Sequence, residues 1–388
     1  MLSGIRVLSF THYIQGPCAS QYLADLGADV IKVEPLEGAF ERRFSNCDYY
    51  PGGESMFFLL GNRNQKSLSI DLKTSEGTST IKSLIKTSDV IVENYRPGVM
   101  DKLGLGYENV RDTNPRIVYA SCSGYGRESK KAGQDILVEA YTGLASLNKK
   151  EPKGVGTPVI DQHGAIMAAL GIVVALLNRE KTNRGMHIET SLLGSAVDLE
   201  QEALSYCMNG IKQQYVDTGL ACDFHQAPSG IYRTKDGFIA VTLVKIAQLK
   251  RVFPGVFDSF SEESRFKDNR IIDLSFSKEI KKKETCEIIK AFESEGIWYE
   301  KYNTLEDFAK CEDEINIHEI NVNGHEVKLV GHQNKYDGEY PKLRIQPPDL
   351  GASNISILKE IGYMDCEIEK LMEKGIVGYP KKQRRKNG

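Results

Sequence analysis

Two carboxylates open the chemical reading. Asp161 stands in Gly-Thr-Pro-Val-Ile-Asp-Gln-His-Gly, directly before the most apolar stretch of the chain. That placement suits two tasks: capping the helix that follows, or acting as a nucleophile held by backbone N–H donors. Asp135, in Ala-Gly-Gln-Asp, lies near the start of another predicted helix, where a carboxylate gains from the helix dipole and from free amides. Capping is the plain reading there too. A third feature is ENYRPGVMDKLG (93–104), where a strand ends, Pro97 opens a short helix, and Arg96 and Lys102 lie close by. A strand end running into a helix N-terminus with basic residues suits phosphate groups.

The elements that must position these residues follow an alternating pattern. IRVLSF (5–10) predicts a buried strand, residues 17–27 a helix with Cys18, Tyr22, Leu23 and Leu26 on one face, and DVIKVE (29–34) a second strand. The pattern continues with strands at 67–72, 89–95, 116–126 and 186–192 and helices at 76–86, 134–147, 162–181 and 193–208. Such alternation predicts an α/β layered domain on a parallel sheet. After about residue 210 the texture changes. Residues 230–243 predict a hairpin turning at Lys235-Asp236-Gly237, 262–316 are polar and helix-like, and 319–331 predict a hairpin with Asn323-Gly324 at its turn. Residues 346–378 return to helix.

Composition narrows the function classes. Fifty Lys and Arg stand against 53 Asp and Glu, a net charge of −3, which argues against a general nucleic-acid binder. The eight cysteines form no CxxC pair and the seven histidines no short cluster, so neither a metal site nor a secreted disulfide framework is expected. No GxGxxG, Walker, HExxH or GxSxG motif is present. The start lacks signal-peptide character, and the longest apolar run, 164–177, is shorter than the roughly 18 residues a membrane span needs. A buried helix, no membrane and a cytoplasmic setting are expected. The basic run at 381–386 reads as a solvated end or a contact for an anionic partner.

At this point the motifs line up with one family. The chain resembles the class III CoA-transferases (CaiB/BaiF) along nearly its whole length. LSGIRVLSFTHYIQGPCASQYLADLGADVIKVEP is similar to that family's first β-α-β unit. NRNQKSLSIDLK, ENYRPGVMDKLGLGYE, NPRIVYASCSGYG, REKTNRGMHIETSLLGSA and PPDLGASNISILKEIGYMDCEIEKL resemble its later blocks. The resemblance implies an interlocked homodimer. Each chain would carry a large Rossmann-like CoA-binding domain from 1–210 plus 340–388, a small α+β domain at 225–335, and linkers at 211–224 and 336–345.

The resemblance also implies the chemistry. CoA would pass from an acyl-CoA donor to a carboxylic acid through a covalent aspartyl intermediate, and the family's catalytic aspartate falls on Asp161. Coenzyme A enters as substrate, with no permanently bound cofactor. CoA contacts fall on Lys73, Asn94, Tyr95 and Lys102, Arg96 lies among them, and Lys131 is one position from another basic contact. Gln15 and Asp135 are candidate supporting residues. Three departures stand out. Pro35 replaces an arginine found in some members, with Arg42 or Arg43 as candidate substitutes. Ile14 replaces a glutamine, with Gln15 beside it. The glycine-rich lid of some members is not evident near 224–230.

The alternative readings are an α-methylacyl-CoA racemase and a CoA-binding protein without turnover. Racemases of this type resemble the same chain but carry Gly-His-Asp where this one reads Gly133-Gln134-Asp135. Glutamine cannot exchange a proton near neutral pH as histidine does. The acid-binding pocket is expected near Ile14, Gln15 and the 225–230 segment; no residue there selects one acid.

Overall fold

The computed structural model describes residues 1–147, 151–213, 218–222 and 224–380. The basic run at 381–386 therefore lies outside the described residues, as does part of the expected linker 211–224. The chain divides into two units. The larger combines Met1–Val138, Thr157–Leu199 and Glu312–Gly388; the smaller combines Glu139–Gly156 with Glu200–Cys311.

The larger unit is built on β1 (Arg6–Phe10), α1 (Gln15–Asp25), β2 (Asp29–Glu34), α2 (Met56–Gly61), β3 (Gln65–Ser69), α3 (Ser75–Ile85) and β4 (Val90–Glu93). It continues with α4 (Val99–Lys102), α5 (Tyr107–Thr113), β5 (Val118–Ser123), the start of α6 (Asp135–Thr142), α7 (Val159–Thr182), β6 (Met186–Ser191) and α8 (Leu192–Leu199). The six strands pair in the order β3-β2-β1-β4-β5-β6, and every pairing is parallel. This is the expected α/β fold, in Rossmann order. The order reverses between β1 and β4, and open sheets of this kind bind ligands at that switch, beyond the carboxyl ends of the strands.

The central strands carry unbroken apolar runs because both sheet faces are covered. One face packs Leu8, Ile31, Leu68 and Ile91 with Ile81 and Leu84 of α3. Ile357, Leu358, Ile368 and Met372 join the same cluster from α14 (Asn354–Glu360) and α15 (Asp365–Glu373). The other face packs Val7, Val30, Val90 and Val118 with Leu23 of α1 and Ala165, Ala168, Ile172 and Ala175 of α7.

Helix α7 departs from expectation twice. It runs 24 residues, and by length and composition alone it is long and apolar enough to cross a membrane. It is also buried along one face only. Alanines let that face lie close on the sheet, while Ile166, Leu170, Val174 and Leu177 form a stripe that is 49–63% exposed.

The smaller unit holds α9 (Gln201–Met208), α10 (Ile246–Val252), α11 (Asn269–Ile280), α12 (Thr285–Glu295) and α13 (Leu305–Phe308). Its sheet is antiparallel, β7 (Gly230–Arg233), β8 (Phe238–Thr242) and β9 (Trp298–Lys301). Its core gathers Tyr232, Ile239, Phe253, Phe257, Phe276 and Phe292. Two placements differ from the expected boundaries. Residues 139–156 and 200–210 fall in this unit rather than the larger one. The hairpin β10 (Ile317–Val322) and β11 (His325–Val330) leaves it, because Ile320, Val327 and Leu329 pack on Leu59 of α2.

Candidate functional site

The site sits where the sheet order reverses. The loops leaving β1 and β4 are stapled there: Asn94 Oδ1 accepts from the His12 amide at 2.9 Å, and Asn94 Nδ2 donates to the His12 carbonyl at 2.8 Å. Gly16 makes the staple possible, since a Cβ there would lie 2.7 Å from Thr11 and 3.0 Å from Asn94. Pro17 falls in the first turn of α1, where its missing N–H costs nothing.

Asp161 occupies the third position of α7. Pro158 stands at the N-cap and no local side chain caps the helix. The cap comes from Asp135 instead. Its Oδ2 accepts from the amides of Ile160 at 2.8 Å and Asp161 at 2.9 Å. Asp135 thus caps a helix, as expected, but α7 rather than its own α6. A carboxylate cap of this kind stabilises a helix end by about 1–2 kcal/mol.

Burial pushes the Asp161 carboxyl up to about 7; the charge of Asp135 adds to the rise, and the Gln15 backbone N–H, donating to Asp161, opposes it. A carboxylate so placed keeps a strong appetite for bonding partners at neutral pH. Cys18, on α1, also faces Asp161, but burial first of all raises its thiol to about 12, so it stays protonated and inert. The Gln15 side chain is buried, and its Nε2 has no hydrogen-bond partner.

The structure brings Asp161, Asp135 and Gln15 together. It spreads the expected CoA contacts over the neighbouring loops of the same sheet edge. Lys73 follows β3, Arg96 follows β4, and Lys102 ends α4; all three are exposed and none forms an ion pair among the described residues. Lys131 is exposed on the loop after β5, with its ammonium 5.3 Å from the Tyr125 ring centre. Asn94 spends both ends of its amide on the His12 staple. Tyr95 is held inward, its ring stacked on His12 at 5.6 Å, and burial raises its hydroxyl to about 12.

The candidates for the arginine missing at Pro35 separate cleanly. Arg42 is committed: it grips Glu34 at 2.6 and 2.7 Å, donates to the Pro348 carbonyl and lies 3.7 Å over Phe58. Arg43 is exposed and donates to the Glu37 carbonyl at 3.1 Å. Ile14, standing at the position of the missing glutamine, is the N-cap of α1 and packs in the core beneath it.

Sequence reasoning missed a group of polar residues that lies beside Tyr95 and Arg96. At the ends of β4, β5 and β6 a cavity of about 30 Å³ is lined by Glu93, Tyr95, Arg96, Tyr107, Ser121 and His187, among others. Ser121 Oγ and His187 Nε2 lie 3.0 Å apart, His187 stacks on Tyr107 at 4.6 Å, and burial above all lifts Glu93 to about 7. Glu93 ends β4, Ser121 lies within β5, His187 near the start of β6, and Tyr107 opens α5. His163, two residues after Asp161, pairs with Asp198 at 2.7 Å.

Residues 2–354 match CoA-transferase family III. A succinyl-CoA:glutarate CoA-transferase of Mus musculus is 31% identical, over 97% of this chain and 90% of that protein. A formyl-CoA:oxalate CoA-transferase of Streptomyces avermitilis is 37% identical over 51% of this chain and 49% of its own length. Among solved structures, Rv3272 of M. tuberculosis superposes with a TM-score of 0.79 at 24% identity, covering 92% of this chain and 98% of that one. A CAIB/BAIF family protein of Brucella suis gives 0.77 at 24% identity, covering 93% and 99%.

Proposed function

Because the chain belongs to CoA-transferase family III, and is an enzyme of that family, we propose that it moves CoA from an acyl-CoA to a free carboxylic acid through covalent intermediates on Asp161. The observation that carries this reading is the setting of Asp161. It is a partly buried carboxylate at the switch point, held by an amide of α1 and raised in proton affinity by burial and by Asp135. The reading of a CoA-binding protein without turnover gives way to an enzyme.

The steps follow from nucleophilic catalysis, which replaces one hard exchange by several easier ones. An Asp161 oxygen attacks the thioester carbonyl, the C–S bond breaks, and CoA leaves as thiolate with the electron pair. The thiolate attacks the aspartyl carbonyl of the mixed anhydride, releasing the donor acid and leaving an aspartyl-CoA thioester. The acceptor carboxylate attacks that thioester and expels the thiolate, forming a second anhydride. Thiolate attack on the acceptor's acyl carbon then yields the new acyl-CoA and frees Asp161. Each tetrahedral oxyanion needs a donor. The Ile160 and Asp161 amides are already taken by Asp135; the Gln15 amide, which donates to the Asp161 carboxylate, and the unpartnered Gln15 Nε2 are the donors that suit that task.

The unpaired Lys73, Arg96 and Lys102 suit the phosphates of CoA, with Lys131 and Arg43 as further cations on the same edge. Tyr95 supports the loop that carries Arg96. The exposed stripe of α7, Ile166, Leu170, Val174 and Leu177, supports a homodimer in which a second copy covers it. The eight free cysteines support a reducing, cytoplasmic setting.

A racemase needs a second acid–base group opposite Asp161. Gln134 stands where its histidine would, and His163 is turned to Asp198. The test is trapping. The enzyme is incubated with succinyl-CoA, the donor of the mouse relative, and hydroxylamine, and peptides are read by mass. A hydroxamate on Asp161 is expected; active enzyme without it refutes the covalent route. Deuterium uptake at the α-carbon of a 2-methylacyl-CoA, with no acceptor acid present, would favour the racemase.

A further inference from the structure

We infer that Asp135 is a positioning residue for the transfer reaction, fixing the first turn of α7 around Asp161 and setting the charge against which Asp161 is acylated. The inference rests on the reading of Asp161 as the nucleophile.

The geometry is unusual for a cap. An N-cap side chain ordinarily belongs to the residue at the helix entrance and bonds the second or third amide. Here the acceptor arrives from a different element. One oxygen of Asp135 takes both the second and the third amide of α7, and the third is the amide of Asp161 itself. The carboxylate of one residue therefore grips the backbone of the other.

Two consequences follow from that grip. The first is geometric. Asp161 is held at both ends, its amide by Asp135 and its carboxylate by the Gln15 N–H. Its side chain meets the thioester from a fixed origin, which is what orientation contributes to a nucleophile. The second is electrostatic. While Asp161 is ionised, two negative carboxylates stand close together in a partly dry site. Attack moves the charge away: an Asp161 oxygen bonds to the acyl carbon of the thioester, the C–S bond breaks, and the negative charge leaves with the CoA sulfur. In the anhydride and the aspartyl-CoA thioester Asp161 is neutral, so the repulsion from Asp135 is relieved. Asp135 thus favours every acylated state over the free carboxylate. The other groups facing Asp161 are the Gln15 amide and the protonated Cys18 thiol of α1; His163, on α7 itself, is spent on Asp198.

The position also explains the loop that delivers Asp135. Gly124 and Gly133 cross so closely that a Cβ on either would overlap the backbone of the other. That crossing ties the end of β5 to the start of α6, so Asp135 reaches α7 from a clamped base rather than from a free loop.

The experiment uses the full-length enzyme with Asp135→Asn and Asp135→Ala. Asparagine keeps an oxygen that can accept both amides and loses the charge; alanine loses both. CoA release from succinyl-CoA in the first half-reaction is followed as a function of pH, with circular dichroism as the check on folding. Asp135→Asn should shift the acidic limb of the profile down by about one pH unit or more, as removal of a neighbouring like charge does. Its KM for succinyl-CoA should stay unchanged. Asp135→Ala should lose about 100-fold in rate through misplacement of the nucleophile, and Asn should restore most of it. If Asp135→Ala fails to fold, the Asn profile decides alone. A hydroxamate on Asp161 together with an Asn profile superimposable on wild type overturns the role of Asp135 and leaves the nucleophile standing. Absence of that hydroxamate in active wild type overturns both.

Discussion

Replacing Asp161 by asparagine should make the protein more stable, and by an amount that depends on pH. The side chain is partly buried, and its carboxyl is raised from the ordinary 3.8 to about 7 by burial and then by Asp135. The folded state therefore holds this proton more tightly than the unfolded chain does. Stability from this group is complete below about pH 4 and falls as pH rises through 7, because the folded state must then carry a charge it disfavours. Each pH unit of displacement is worth about 1.4 kcal/mol, which sets a ceiling of about 4 kcal/mol. Residual solvent access screens part of it, leaving about 2 kcal/mol. In a unit of this size, that corresponds to a rise of about 4 °C in melting midpoint. The assay is a pair of thermal melts, wild type and Asp161→Asn, from pH 4 to pH 8. The gap should be near zero at pH 4 and reach its full value above pH 7, with the variant the more stable. A gap that does not change with pH, or a variant that melts lower at pH 8, would refute the argument that Asp161 is held under electrostatic strain. Turnover should be lost in the same variant, so stability and activity part company at one residue.

Two further outcomes are expected. Alanine at Lys73, Arg96 or Lys102 should raise the KM for acyl-CoA by about tenfold per residue with little change in kcat, since a charged hydrogen bond is worth about 1.5–3 kcal/mol. Unchanged KM in the triple variant would remove these residues from the phosphate site. Gly133→Ala should cost about 1–3 kcal/mol by overpacking the crossing with Gly124. It should also slow transfer, because Asp135 lies two residues on; a variant with wild-type melting and rate would show that the crossing is loose.

The strands were legible where they are buried on both sides. IRVLSF and DVIKVE are buried along nearly their whole length, and their ends were placed within a residue; MHIETS, at the edge of the sheet and only partly buried, was placed as closely. Strand β3 was read too late, at 67–72 rather than Gln65–Ser69. Its apolar end, Ile70, bridges instead to Val377 near the other end of the chain, and sequence adjacency cannot show that. Strand β9, Trp298–Lys301, was absorbed into a helical reading because three of its four residues face solvent. Helix α7 begins at Val159 rather than Gln162 because its cap arrives from residue 135. The same distance hid the partnership at the centre of the site. Each aspartate was visible as a carboxylate near a helix start; that one caps the other's helix is a tertiary fact. The domain boundaries erred for a related reason. The helical pattern that begins at residue 134 does not show that the chain changes unit at Glu139, which is decided by what 139–156 packs against.

The seal that α14 and α15 place on the sheet has a consequence for how the protein is made. Leu8, Ile31 and Leu68 emerge early from the ribosome, but Ile357, Leu358, Ile368 and Met372, which complete their cluster, are translated only after the whole smaller unit. At elongation rates of about 5–20 residues per second, the nascent sheet spends on the order of ten seconds or more with one apolar face covered by α3 but not by α14 and α15. The smaller unit has no such debt, since its core from Tyr232 to Ile297 is contiguous in translation. Synthesis should therefore show a late folding event in the larger unit, and a nascent chain paused between β11 and α14 should be a client for chaperones that recognise bare aliphatic surface.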